Sequence, residues 1–423
     1  MKQHSKSLAR QSRSVTMGRW NRVMVIVVGI LLVSWGGPAA SAFWSTVSSS
    51  NFAAAKADTV NPGAKPVAVV GTAGSVTVTW TASTTAAGRS ATGYSIARYA
   101  SATGGTRVPA AGTCAGTVAA LSCTDTAPTG TWYYAVTPML SLWQGSESLR
   151  STATAVDATA PGAPTVNAPT YVIATTAANI TATGTAEANS SVLLTVTDAG
   201  SLHSVTKTVT ANGAGAWTAS ALNLSTLNDG LVTYSARATD AAGNTGAAGS
   251  DTSTKDVIAP TVTGVQLSNG GSLPGRIERD DLVTLTFSEP LDASAICSAW
   301  TSDTATQTLN GNSQVLVSVS SSDNLTVTSS GCSTLKYGTV ALVGDYETSG
   351  SMTFSGSGSN ASVLQWNPVA RTLTLTLGTM SGSGNTVAQN PAAAKFTPAS
   401  GLTDIAGNPI APAQFTSPTT SRF

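Results

Sequence analysis

Asp157-Ala-Thr-Ala-Pro161 and Asp256-Val-Ile-Ala-Pro260 begin 99 residues apart, and Asp58-Thr-Val-Asn-Pro62 begins 99 residues before the first of them. A period near 100 residues is the length of one β-sandwich, and an acidic, proline-bearing joint is where such domains meet. The chain reads as all-β, a tandem array of β-sandwiches behind an N-terminal apolar segment. The expected divisions are residues 1–42, 43–63, 64–156, 157–255, 256–416 and a frayed polar tail, 417–423.

Composition agrees with that reading. Charged residues make up 10% of the 423, and Thr, Ser, Ala, Gly and Val dominate. Thr and Val suit a pleated surface, and Gly and Pro mark frequent turns. Disorder is the competing reading, opposed by 41% hydrophobic content and nine Trp. Six of the 21 basic residues and none of the 20 acidic ones lie in residues 1–42, so the remainder carries 15 against 20, a net of −5. That balance leaves no basic face for nucleic acid.

Residues 1–22 are basic, Val23–Val33 is an 11-residue apolar run, Trp35-Gly-Gly-Pro38 breaks a helix, and Ala40-Ser41-Ala42 offers an A-x-A cleavage site. That order is a secretory signal, with maturation expected at Phe43. The alternative is an uncleaved anchor, since Val23–Ala42 is 20 residues without a charge. Either way the expected location is extracellular or cell-surface, with membrane contact only through this segment. Phe43-Trp44 resembles the mature ends of exported Gram-positive surface proteins. Val47–Ala57 reads as an unstructured leader. Four Cys suit an oxidising destination, and their spacing pairs Cys114 with Cys123 and Cys297 with Cys332. Zinc is the alternative, disfavoured by the spacing.

In residues 64–156, Val76-Thr-Val-Thr-Trp80, Tyr94-Ser-Ile-Ala-Arg-Tyr99 and Trp132-Tyr-Tyr-Ala-Val136 alternate as strands with Trp80, Tyr94 and Trp132 inward. Their order resembles a fibronectin type III domain, except that Trp132 stands where a tyrosine corner is expected. In residues 157–255, Gly184-Thr-Ala-Glu187, Gly215-Ala-Trp217 and Tyr234-Ser-Ala-Arg-Ala-Thr-Asp-Ala-Ala-Gly-Asn244 resemble the bacterial Ig-like repeats of surface adhesins. In residues 256–416, Leu282-Val-Thr-Leu-Thr-Phe-Ser-Glu-Pro-Leu-Asp292 and Gly401-Leu-Thr-Asp-Ile-Ala-Gly-Asn408 resemble Ig-like domains of S-layer and related surface proteins. The length there allows one elaborated sandwich or two small domains, with Gly350–Asn360 a Gly/Ser stretch.

The pattern Asp-x-x-Gly-Asn occurs at Asp240–Asn244 and Asp404–Asn408. Asp and Asn side chains suit calcium, so Asp240, Asn244, Asp404 and Asn408 are candidate metal ligands. The same residues suit a tight turn, in which Asp caps the turn and Gly and Asn tolerate positive φ. Asp157 and Asp256 are either solvated linker residues or interdomain calcium ligands. Glu278, Asp280, Asp281, Glu289 and Asp292 form the densest acidic cluster, read as loop charges at opposite ends of a strand. Without a Gly-x-Ser-x-Gly elbow or a phosphate loop, and with His203 read as a surface residue, no catalytic set emerges and no cofactor is expected. Two functions fit: a non-catalytic spacer or adhesive array with an extracellular protein or glycan partner, or a carbohydrate-binding accessory of polysaccharide breakdown. The second needs two or three aromatics on one exposed face, and Trp143, Trp300 and Trp366 are the ones left unplaced.

Overall fold

The computed structural model describes residues 42–49, 52–347 and 350–423. The signal and its cleavage site fall outside the described residues. Among the described residues nearly every element is a strand, and the one α-helix there is the single turn Ala293–Ile296. The chain divides into two compact units, one running to Pro161 and including Thr239–Thr245, the other holding Gly162–Ala238 and Gly246–Phe423.

The expected leader differs from the structure in its backbone. Ala42–Ser49 and Phe52–Thr59 pair as an antiparallel hairpin, Ala42 opposite Thr59. Small and β-branched residues there are free to take up the extended conformation.

The first sandwich faces a three-stranded sheet (Val67–Val70, Ser75–Thr79, Ser122–Thr126) against one built on Gly93–Tyr99 and Gly130–Leu140. Alternation decides which side chains fill the space between. Val76, Val78, Tyr134 and Val136 are fully buried, and Trp80 meets the Tyr94 ring edge-on at 5.4 Å. Trp132 is half-buried against the same core, and its indole N–H donates to the Pro128 carbonyl at 2.8 Å. A tyrosine corner makes the same backward bond to the chain a few residues upstream, so Trp132 takes over that role. Asp125, with no exposure, accepts from Arg98 Nη1 at 2.8 Å and from the Tyr134 hydroxyl at 2.9 Å. Cys114 is bonded to Cys123 beside this network.

The second sandwich sets Ile180–Thr185 and Ala216–Leu222 against a five-stranded sheet centred on Gly230–Thr239 and Ser191–Asp198. Trp217 and Tyr234 are its largest core residues.

The third sandwich is one body. A five-stranded sheet (Val262–Ser268, Leu282–Phe287, Thr372–Thr376, Val363–Asn367, Gln307–Leu309) faces one of seven strands, and a single continuous core runs from Val265 to Phe423. Cys297 is bonded to Cys332. Within the Gly/Ser stretch, Ser351–Ser355 is a strand, because Met352 and Phe354 alternate inward with no exposure. The tail is not frayed. Ser421 pairs with Ala392, and Phe423 is fully buried with its ring edge-on to Tyr346 at 5.4 Å. One terminal aromatic outweighs the polar residues before it, since burying a Phe side chain stabilises by roughly 1.5–3 kcal/mol.

Candidate functional site

The two Asp-x-x-Gly-Asn segments both lie at linkers. Each Asp-x-x-Gly-Asn segment forms the same turn. Asp240 Oδ1 accepts from Asn244 N at 2.8 Å, and Asp404 Oδ1 accepts from Asn408 N at 2.8 Å. The Asn amide then donates to the other Asp oxygen, at 2.7 Å in the first turn and 2.9 Å in the second. Gly243 and Gly407 sit at φ of 83° and 105°, which an L side chain rarely adopts, so the fourth position is glycine in both. The Asn244 amide beside Asp240 holds its carboxyl below the usual carboxylate range.

The same Asn amides reach the linkers. Asn244 Nδ2 donates to the Asp157 carbonyl at 3.2 Å, and Asn408 Nδ2 to the Asp256 carbonyl at 2.9 Å. In each case the turn also takes a backbone N–H from the loop joining the first two strands of the preceding sandwich, here called the A–B loop. Ala73 N, in the loop Gly71–Gly74, donates to Ala242 O at 3.1 Å within the first unit. Ala174 N donates to Asn408 Oδ1 at 3.1 Å within the second. One short turn therefore closes on itself, on its own linker and on the neighbouring loop. Spacing alone identified the turn and the linker acid; nothing in it shows the third contact, which links residues 234 apart in the chain.

The second joint adds charge. Carboxylate oxygens of Asp256, Glu289 and Asp404 all lie within 4.8 Å of one another. Asp404 is 2% exposed, and Glu289 Oε1 is buried without a hydrogen-bond partner. Burial first, then the Asp256 and Asp404 charges, push the Glu289 carboxyl above its ordinary value. Three oxygens converging from a linker, a strand end and a turn are chemically able to hold a hard cation such as calcium. Asp240, Asn244 and Asn408 lie outside this trio.

The remaining acids separate as expected, with one difference. Glu278 and Asp280 line the opposite end of the third sandwich, and Asp292 caps Ala293–Ile296 through Ser294 N and Ala295 N. Asp281 is not a loop charge. It is fully buried, accepts from Gly270 N at 3.0 Å and Glu278 N at 2.7 Å, and burial pushes it up to about 6. His203 has a partner the sequence did not reveal. Its Nδ1 lies 2.7 Å from Asp198 Oδ2, and the His203 backbone N–H, donating to the same carboxylate, is the main influence holding Asp198 well below the usual range. No hydroxyl nucleophile is hydrogen-bonded to that His among the described residues.

Of the unplaced aromatics, Trp300 is 4% exposed and Trp366 is fully buried, both in the third core. Trp143 is half-buried. The outer face of the seven-stranded sheet instead carries hydroxyls in register. Ser381, Thr353, Ser318, Thr326, Thr339 and Thr397 stand opposite one another across six strands. Strands lie about 4.8 Å apart, so the row is roughly 24 Å long and uncharged.

No family model matches the sequence, and no curated protein matches it. Among solved structures, the chain is similar to the FN1–FN3 domains of chicken CNTN1 at 10% identity, covering 86% of this chain and 99% of that one with a TM-score of 0.23. It is similar to a tetra-tandem repeat from the extending region of a large adhesion protein at 15% identity, with coverages of 85% and 98% and a TM-score of 0.23. It is also similar to a 1.5-MDa bacterial ice-binding adhesin at 15% identity, with coverages of 76% and 97% and a TM-score of 0.27.

Proposed function

We propose that this chain is an exported, non-catalytic array that spaces and presents surfaces outside the cell, with an adhesive or matrix-binding role. The observation that carries the reading is the repeated joint. The same turn, linker carbonyl and A–B amide meet at both linkers, which is what an array built to hold successive domains requires and an enzyme does not. The second joint adds a carboxylate trio through which a divalent cation would stiffen it. The paired cysteines and the apolar N-terminal run support export. The hydroxyl row supports an uncharged, hydroxyl-rich partner such as a glycan, whose groups can exchange hydrogen bonds with Ser and Thr.

The carbohydrate-accessory reading is less favoured. It rests on an exposed aromatic platform, and Trp80, Trp217, Trp300 and Trp366 all sit in cores. Cell fractionation is the test. Protein in the envelope or the medium is expected, and cytoplasmic protein with free thiols would overturn the proposal. Binding to insoluble polysaccharide that survives Thr326→Arg but fails on Trp143→Ala would favour the accessory role instead.

A further inference from the structure

We infer that the cleft at the end of the third sandwich away from the joint binds a sugar unit of an uncharged polysaccharide. The hydroxyl row carries the rest of that polymer across the sheet. The inference rests on the array reading and supplies its glycan partner with a site.

Two loop segments, Gly270–Ser272 and Glu278–Asp280, enclose the cleft together with the edge strand Thr379–Ser381. Its volume of about 480 Å³ lies in the range of small-ligand sites, roughly 300–1,000 Å³. The walls are fixed in advance. Buried Asp281 accepts from Gly270 N at 3.0 Å and from Glu278 N at 2.7 Å, which ties the two segments together. A Cβ on Gly270 would come within 1.9 Å of Asp280 O, and one on Gly271 within 2.4 Å of the Glu278 carboxyl, so only glycine lets them meet. Arg279 is braced as well, its Nε donating to Asp280 Oδ2 at 3.1 Å and its Nη1 to Asn360 Oδ1 at 2.9 Å. Arg279 Nη2, Asp280 Oδ1, Glu278 Oε2 and the Ser272 hydroxyl have no protein partner among the described residues. Groups held in place before binding lose little freedom when a ligand arrives.

Those four groups set the chemistry of the ligand. A cation finds no third carboxylate, because the acids that converge among the described residues are Asp256, Glu289 and Asp404 at the joint. An anion meets two carboxylates against one guanidinium. An apolar ligand finds a single apolar side chain on the wall, Met380, 40% exposed. Sugar hydroxyls both donate and accept, so one of them can bridge guanidinium and carboxylate while the C–H face of the ring lies on Met380. The cleft also runs into the row. Thr379 forms part of the cleft wall and stands opposite Ser355. Ser381, on the same strand and opposite Thr353, is the first hydroxyl of the row. A ligand longer than the cleft therefore leaves it onto roughly 24 Å of hydroxyls in register. That continuity selects a polymer over a free sugar.

The test is affinity electrophoresis of the whole chain in gels containing dextran, mannan or mixed-linkage β-glucan, with alginate as the acidic control. At least one neutral polymer should retard the protein, and alginate should not. Arg279→Ala removes an exposed side chain, and Asp280→Asn keeps its shape at a φ of 73°, which Asn tolerates. Near-UV circular dichroism checks the fold of each. Each should weaken binding about tenfold or more, the loss expected of one charge-assisted hydrogen bond. Thr326→Arg separates the row from the cleft. It should weaken binding of the polymer and leave calorimetric binding of the matching trisaccharide unchanged, whereas Arg279→Ala should weaken both. Retardation by alginate alone, by no neutral polymer, or equally in wild type and both cleft variants would overturn the inference. So would polymer binding indifferent to Thr326→Arg. Each of these results leaves the array reading standing, because that reading rests on the joints and on where the protein is found in the cell.

Discussion

Asn408→Ala should uncouple the second joint at a cost of about 3 kcal/mol. Asn408 has no exposure, and its side chain makes three hydrogen bonds: to Asp404 Oδ2 and the Asp256 carbonyl, each at 2.9 Å, and from Ala174 N at 3.1 Å. A net hydrogen bond contributes roughly 1 kcal/mol, and a buried group left unpaired costs roughly 1–3 kcal/mol. The turn itself should survive, because Asp404 Oδ1 still accepts two backbone N–H groups. The loss therefore falls on the linker and the A–B loop. At roughly 2–4 °C per kcal/mol for a body of this size, the midpoint should fall by about 6–12 °C. Scanning calorimetry measures it. Asn244→Ala is the comparison. It lacks a bond equivalent to that from Ala174 N, and its linker bond is longer at 3.2 Å, so its effect should be smaller. A change below about 0.5 kcal/mol for Asn408→Ala, typical of an unremarkable surface site, would refute the latch.

Glu289→Gln should stabilise the second unit at neutral pH without divalent cations. Like charges within 4.8 Å repel by up to about 3.5 kcal/mol at an effective dielectric of 20, reduced to about 1 kcal/mol by solvent screening. The sign follows from the raised Glu289 carboxyl: its contribution is full below the ordinary glutamate value of 4.5 and is lost as pH rises through the folded value. Urea titrations should show the variant gaining on wild type from that pH upward, and equal pH profiles would refute it. Calcium at a hundredfold excess over Kd should raise wild-type stability by about 2.7 kcal/mol over an EDTA control, with the gain lost in Glu289→Gln. Phe423→Ala should cost about 3–5 kcal/mol in urea unfolding, where a frayed tail would cost nothing. Asp125→Ala should destabilise the first sandwich by about 3–5 kcal/mol, because it strands Arg98 beside an emptied site.

Periodicity and local chemistry were legible in one dimension. Val76, Val78 and Trp80 alternate because a strand places successive side chains on opposite faces, so core and surface follow from order along the chain. The 99-residue spacing of the linker acids, the Asp-x-x-Gly-Asn turns and the short-range cysteine pairs are also local patterns, and they carry the all-β array. Tertiary structure alone decided what the patterns meet. It brings Ala174 to Asn408, and Asp256, Glu289 and Asp404 to one point, and it places Phe423 against Tyr346. It also buries Asp281 beside residues the chain shows as an open acidic run. These contacts join residues tens to hundreds of positions apart, and each depends on how strands cross and which end of a sandwich a loop reaches. A sequence states which groups are available. The free energy of a hydrogen bond or a charge pair depends on distance and burial, and those exist only once the chain has folded.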